Sequence, residues 1–397
     1  MKNIPQLRFA GFDGEWEEEK FSEIFDTTIP KNSLSRDKLT NQVTKVKNIH
    51  YGDIHKIFDN LIQSSNEKIP HIINDDLSTH ERYFLQDGDI IFTDAAEDNT
   101  AGKCVELEID DRSNIVAGLH TIPARPIKFG KYFYGFYLNS NSFHNKIIPL
   151  LEGTKVSSVS KTNLNTLSVI VPNVEEQERI GNLFKKLDDL IEIQEGKVSK
   201  MEDFKKSMLQ KMFPKKDELV PEFRFYGFDG EWEKKKISDI GKITAGGDVD
   251  KKKISNKGRY PVIANGDSNN GIIGYYEDYY KISEPAVTIS ARGNIGTAVA
   301  RNYPFTPVIR VLTLTSDNNI YFMSEAINRL RIFNESSGVP QLTSPQFGGY
   351  NIFMAKLSEQ EKIGNFFKNL DTQIENEEKL LESYKMMKKS LLQKMFV

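Results

Sequence analysis

The sequence predicts an α+β fold arranged as a tandem duplication, on three observations. A helix-patterned stretch, EQERIGNLFKKLDDLIEIQEGKVSKMEDFKKSMLQKMF at Glu176–Phe213, returns as EQEKIGNFFKNLDTQIENEEKLLESYKMMKKSLLQKMF at Glu359–Phe396, ungapped and at a constant offset of 183 (359 − 176). A shorter frame, PQLRFAGFDGEWEEEKFSEI at residues 5–24, returns as PEFRFYGFDGEWEKKKISDI at residues 221–240, with 13 of 20 positions identical at an offset of 216 (221 − 5). Between frame and helix, each half carries a region of strand-like runs and polar turns, and these two regions do not align.

In chain order, the first frame turns at Asp13-Gly14, with Phe12 and Trp16 placed to anchor the turn by packing; Asp229-Gly230, Phe228 and Trp232 repeat this. In the first variable region, DIIF (89–92), CVELEI (104–109), NIVAGL (114–119) and LSVIVP (167–172) read as strands. Asp87-Gly88, Asp98-Asn99 and Asp110-Asp111 read as turns. The second region offers PAVTIS (285–290), TAVA (297–300) and VIRVLTLT (308–315) as strands among Gly- and Asn-rich turns. In the first long helix Ile180, Leu183, Phe184, Leu187, Leu190 and Ile191 begin an apolar stripe at spacings of three and four. Ile363, Phe366, Phe367, Leu370 and Ile374 begin it in the second. Capping boxes are expected from Asn173 with Glu176 and from Ser358 with Glu361. About 40 residues at 1.5 Å each make a rod of about 60 Å, which needs a partner for its stripe; the other copy is that partner. The expected boundaries are 1–172, helix 173–213, linker 214–220 (within PKKDELVP), 221–356 and helix 357–397.

Composition narrows the function. With 53 basic and 56 acidic residues the formal charge is −3, so positive charge for a nucleic acid must be local or come from partners. The single cysteine, Cys104, excludes an internal disulfide and a Cys-rich zinc site and fits a reducing compartment. MKNIPQLRFAGF lacks an apolar signal core, and no run of 18 apolar residues occurs, so a cytoplasmic location is expected.

No catalytic constellation stands out. The six histidines lack metal-site spacing, and a metal site is not expected; there is no G-x-S-x-G, no P-loop and no (D/N)PP(Y/F) string. Asp94, Glu97 and Asp98 leave three readings open: acid–base work, acceptors for cytosine N4, or turn and cap chemistry. Basic and amide-bearing loops suit phosphates and base edges. The candidates are Lys31, Arg36, Lys38, Lys45, Lys155 and Lys161 in the first half. In the second they are Lys251, Lys252, Lys253, Lys257, Arg259, Asn265, Asn269, Asn270, Arg292, Asn294 and Gln341.

The repeated RF-x-GFDGEW frame, the paired EQE-x-IGN-x-F helices ending in LQKMF, and two dissimilar inserts resemble the specificity subunits of type I restriction–modification enzymes. HYGDIH (50–55), GDIIFTDAAED (88–98), GLHTIPARP (118–126) and GTKVSSVS (153–160) resemble one class of that family's target-recognition domains; YPVIANGDSNNGIIGYY (260–276) and ISARGNIG (289–296) resemble another. The resemblance implies two mixed α/β target-recognition domains related by a pseudo-two-fold, each reading one half of a bipartite DNA site. Two long antiparallel coiled-coil helices would join them and set the half-site spacing. It also implies two methylation subunits, docked on Ile180, Phe184, Leu187, Ile363, Phe367 and Leu370, and restriction subunits. S-adenosylmethionine, ATP and Mg2+ would sit on those partners, this chain binding no cofactor and catalysing nothing itself. The competing expectations are a coiled-coil scaffold without DNA readout and a standalone DNA-modifying enzyme.

Overall fold

The computed structural model describes residues 3–73, 77–109, 113–128, 130–153, 155–266, 268–332 and 340–397. The expected turn at Asp110-Asp111, together with Thr154 and Asp267 of the quoted loops, lies outside them. The chain forms two compact units: Met1–Gln194 with Leu380–Val397, and Glu195–Lys379. The long helices span Val174–Met212 and Leu357–Met395, so each contributes to both units.

In the first unit a five-stranded mixed sheet runs Phe25–Asp26, Thr121–Pro126, Ile90–Thr93, Cys104–Glu108, Leu61–Gln63, the last pair parallel. A four-stranded sheet (Ile115–Ala117, Lys47–Ile49, His71–Ile72, Leu39–Thr40) accompanies it. The expected strands at 89–92, 104–109, 114–119 and 167–172 are present within one residue or two of those bounds. Thr121–Pro126 gave no strand signal because it holds two prolines; Pro123 and Pro126 sit where a missing N–H is tolerated. The core gathers Phe133, Phe136, Tyr137 and Phe143 against Phe184 of the central helix and Phe396 of the C-terminal one, with Phe184 and Phe396 stacked at 5.6 Å.

The second unit has an antiparallel four-stranded sheet, ordered Lys242–Ala245, Val311–Thr315, Ala286–Ser290, Ala298–Arg301. A three-stranded sheet of Ile272–Tyr276, Tyr260–Ile263 and Thr306–Pro307 lies in the same unit. Its core pairs Phe213 with Trp232, Phe322 and Phe367. Phe213 and Phe396 are equivalent across the duplication (396 − 183), which explains why the LQKMF ends are retained: each ends its helix in an aromatic core.

What the frame does is visible in both units. Arg8 grips Glu176 through two bonds of 2.7 Å, and Arg224 grips Glu359 at 2.6 and 2.8 Å; both glutamates are fully buried. The remaining guanidinium nitrogen donates to the carbonyl of Gly14 or Gly230, residues whose φ of +78° favours glycine. Immediately before each arginine, the Leu7 amide donates to the Lys394 carbonyl at 2.9 Å and the Phe223 amide to the Lys211 carbonyl at 2.8 Å. Each frame therefore joins the start of one helix to the end of the other, satisfying a carbonyl the last turn leaves free. This corrects the expected capping boxes. Asn173 does accept from the Glu176 amide at 2.9 Å, but the Glu176 carboxylate goes to Arg8. Ser358 lies inside a helix that begins at Leu357.

The helices pair antiparallel within each unit, through Asp188–Lys388 in the first and Lys205–Asp371 in the second, where Lys205 also meets Glu325. The 183 offset converts Asp188 into Asp371 and Lys205 into Lys388, so one ion pair is made twice with its partners exchanged between helices.

Glu106 sits fully buried, accepting from the Tyr132 amide at 2.6 Å and the Gly135 amide at 2.8 Å. Burial, only partly opposed by those donors, pushes its carboxyl up to about 8. Unfolded, it ionises near its ordinary value, so the folded state retains a proton that the unfolded state releases. The contribution is full below about pH 4.5 and is lost as pH rises toward 8. Urea unfolding across pH 5–8 is expected to show this decline. Glu106→Ala lowers stability throughout by orphaning two amides but removes that slope; an unchanged slope would assign it to another group.

Candidate nucleic-acid interface

In the first unit the candidate residues converge on Asp94, which follows strand Ile90–Thr93. Its carboxylate accepts from Lys31 Nζ at 2.9 Å and faces His120 Nδ1 at 3.0 Å. Strand Ser157–Ser158 pairs with Ala95–Ala96, and the Val159 amide donates to the Asp94 carbonyl, which brings the segment of Lys155 and Lys161 alongside. Lys31, Asp94, Lys161, Thr27, Thr121 and Ser160 share a cleft of about 200 Å³. Lys161 donates to the Thr27 carbonyl at 3.0 Å.

The HYGDIH stretch forms the helix Tyr51–Lys56 beside it. His50 caps that helix, its Nδ1 accepting from the Gly52 amide at 3.2 Å. Buried Asp53 takes two bonds from Arg36 Nη1, at 2.7 and 2.8 Å. Burial raises the Asp53 carboxyl while Arg36 opposes it, and burial holds the His50 imidazole below its ordinary value while Asp53 opposes that. The Tyr51 ring stands edge-on to His120 at 5.1 Å and tilts against His50 at 4.6 Å. The face thus runs from Lys31 through Asp94, His120 and Tyr51 to His50, and Asp53, whose amide donates to the His50 carbonyl, joins Arg36 to it. Lys38 pairs loosely with Asp37, and Lys45 and Lys155 are exposed. Of the acidic loop, Asp98 accepts from the amide and hydroxyl of Thr100, which is turn chemistry, and these bonds hold its carboxyl below the usual range.

The second unit divides its candidates into two groups. Lys251–Lys253 form an exposed 3-10 turn capped by Asp250, and the segment from Ser255 to Arg259 is bonded through its backbone to Tyr275 and Tyr276 of strand Ile272–Tyr276. Arg259 lies over the Tyr260 ring at 5.4 Å. The other group surrounds a cleft of about 300 Å³ lined by Gly266, Asn270, Ser290, Asn294, Thr297 and Arg301. Asn265 uses its side-chain oxygen on the Ala291 amide at 2.8 Å, so it shapes the Arg292 loop rather than facing outward. The Leu342 amide donates to the Ala291 carbonyl, placing Gln341 beside the same loop. Asn269 and Asn270 both hold left-handed backbone, φ +50° and +51°, at the exposed rim.

A family model for the type I restriction modification DNA specificity domain matches residues 13–203 and 229–385. The chain belongs to this family. The two matched segments begin 216 residues apart (229 − 13), the offset of the duplicated frames. S.MpnORF507P, named as a type I specificity subunit of Mycoplasma pneumoniae, is 26% identical over 203 residues, 50% of this chain and 53% of that protein. The type I restriction enzyme MjaVIII specificity subunit of Methanocaldococcus jannaschii is 24% identical over 214 residues, 52% of this chain and 48% of that one. The chain thus spans about half the length of these relatives. The crystal structure of the S subunit of a type I restriction-modification system from M. genitalium covers 99% of both chains at a TM-score of 0.69 and 16% identity, which establishes the shared fold.

Ile180, Phe184, Leu187, Ile363, Phe367 and Leu370, the residues expected to dock methylation subunits, are all buried within this chain. An apolar stripe looks the same in sequence whether it meets the chain itself or a partner. Sequence reasoning also missed Arg8 and Arg224, whose return with Glu176 and Glu359 at matching positions was the available signal. It missed Asp53, His120 and Arg301, which carry no local pattern.

Proposed function

We propose that the chain is the DNA-address subunit of a type I restriction–modification complex, each unit reading one half of a bipartite site. The carrying observation is two unlike loop surfaces held on frames with the same Arg–Glu clamp, helix pairing and terminal aromatic. Invariant scaffolding with divergent loops is what reading two different sequences with one assembly requires. Arg36, Lys31 and Lys161 in one unit and Lys251–Lys253, Arg259 and the Asn269–Asn270 rim in the other supply phosphate and base-edge donors. Because Lys31 and Arg36 already meet carboxylates and the chain's formal charge is −3, non-specific affinity is modest and partners supply the rest. Methylation subunits bring S-adenosylmethionine and modify adenine N6; restriction subunits bring ATP and Mg2+ chemistry. This chain supplies only the address, in the cytoplasm; no described helix is long and apolar enough to cross a membrane.

The test is single-molecule methylome sequencing of a host carrying the chain with its methylation subunit, against a host lacking only this chain. A bipartite N6-methyladenine motif that disappears with the chain is the expected result. An unchanged methylome despite complex formation favours the scaffold reading.

Partner docking must use what the helices leave exposed. Phe204 and Met387 are equivalent (387 − 183) and are 48% and 50% exposed. Two equivalent apolar positions suit two copies of one partner. Phe204→Glu and Met387→Glu are each expected to reduce the bound methylation subunits from two to one, read by mass photometry. Full occupancy in both variants would move the docking surface elsewhere.

A further inference from the structure

The second unit contains a buried cation of unusual company. Arg8, Arg36, Arg125 and Arg224 each meet a carboxylate. Arg301, at the end of strand Ala298–Arg301 and only 2% exposed, meets none among the described residues. Its Nε donates to Thr288 Oγ1 at 3.1 Å, Nη1 to the Tyr303 hydroxyl at 3.1 Å and Nη2 to the Asn270 carbonyl at 2.5 Å. All three acceptors are neutral. A guanidinium carries five N–H donors, so two remain after these bonds. Dipoles alone compensate a buried charge poorly, and a counter-anion compensates it well.

Space for that anion adjoins the guanidinium. Arg301 lines the cleft of about 300 Å³ with Ser290, Asn294, Thr297 and Asn270, and no acidic residue is among the described residues lining it. At roughly 30 Å³ per water, the volume holds on the order of ten waters, ample for one partly hydrated oxyanion. The Thr297 hydroxyl donates to the Asn294 carbonyl at 3.0 Å, so the two remaining guanidinium N–H groups, with the Ser290 hydroxyl on the same lining, carry the recognition of such a group.

We propose that this cleft is a phosphate site, with Arg301 as its charge and Ser290, Asn294 and Thr297 as its polar wall. The phosphate is either a phosphodiester of bound DNA, a source that rests on the DNA-address reading, or free inorganic phosphate, which does not. A phosphodiester seated here would fix the second module's register on the duplex, beside the Asn269–Asn270 rim.

The experiment uses the full chain, titrated with inorganic phosphate against chloride at constant ionic strength and followed by thermal unfolding. Wild type is expected to gain stability with phosphate. Arg301→Met is expected to lose the response, and Asn294→Asp, which places a carboxylate in the cleft, is expected to unfold no earlier than wild type while also losing it. Asn351→Asp adds the same charge at an exposed position of the same unit, outside the cleft lining and outside the candidate DNA contacts, and is expected to keep the response. In the complex with methylation subunits, DNA affinity is then measured against salt. If the occupant is a phosphodiester, the slope of log K on log salt falls by about 0.9 in Asn294→Asp relative to Asn351→Asp. Equal slopes with a lost phosphate response support free phosphate. No response in wild type together with equal slopes overturns the site. A wild-type complex that binds no DNA refutes the DNA-address reading and leaves the phosphate titration to decide the cleft alone.

Discussion

Arg224→Met is expected to destabilise the chain by about 3–5 kcal/mol, because it strands a buried charge rather than deleting a surface contact. Glu359 has no exposed surface, and both of its oxygens accept from Arg224. The pairs Lys215–Glu222 and Lys379–Glu375 are largely exposed and are worth about 1 kcal/mol or less. Removing the arginine leaves Glu359 either ionised without a partner or protonated at a cost, and it frees the Gly230 carbonyl as well. The second substitution separates charge burial from packing: Arg224→Met with Glu359→Gln removes the stranded charge and is expected to recover most of the loss. Arg8→Met, with and without Glu176→Gln, should behave alike, because the clamp has the same geometry there. Urea unfolding of the four variants decides the matter. A single-variant loss below about 1 kcal/mol, or no recovery in the doubles, would reduce the clamp to an ordinary surface pair.

The duplication, the long helices and most strands were legible because each rests on a periodic or repeated pattern. Ile90–Thr93, Cys104–Glu108 and Val311–Thr315 are short apolar runs between turn residues, and Val174–Met212 repeats its stripe for about eleven turns. The site was legible only as composition. Sequence marked Lys31 and Arg36 as cations, but the carboxylates that hold them lie 63 and 17 residues away, and nothing local announces Asp94 or Asp53 as their partners. Arg301 escaped for the same reason: its significance lies in burial and in acceptors from three separate segments. The residues that the resemblance implied for docking show the opposite limit. Periodicity fixed which face of each helix is apolar, yet that face is consumed by Phe133, Phe136 and Phe396 in one unit and by Phe213 and Phe322 in the other.

Removing four residues from one long helix is expected to abolish methylation of the native motif, and a matched removal from the other helix is expected to restore it at a shorter spacer. Asp188 and Lys205 are 17 residues apart (205 − 188) on the central helix, and their partners Lys388 and Asp371 are 17 apart (388 − 371) on the C-terminal one. Deleting Ile191–Gln194 alone makes those separations unequal, so both ion pairs and the aromatic contacts beyond them cannot form together. Deleting Glu382–Lys385 as well makes them equal again. Four residues are about 1.1 turns, so side chains return to within about 40° of their former faces, and the rise lost is about 6 Å. If the helices set the distance between half-sites, 6 Å at 3.4 Å per base pair removes about two base pairs from the spacer while both half-sequences persist. Methylome sequencing of hosts carrying the single and double deletions reads both quantities. A folded double deletion that keeps the native spacer would show that the helices do not measure the DNA. Altered half-sequences would show instead that recognition extends beyond the variable loops into the helices.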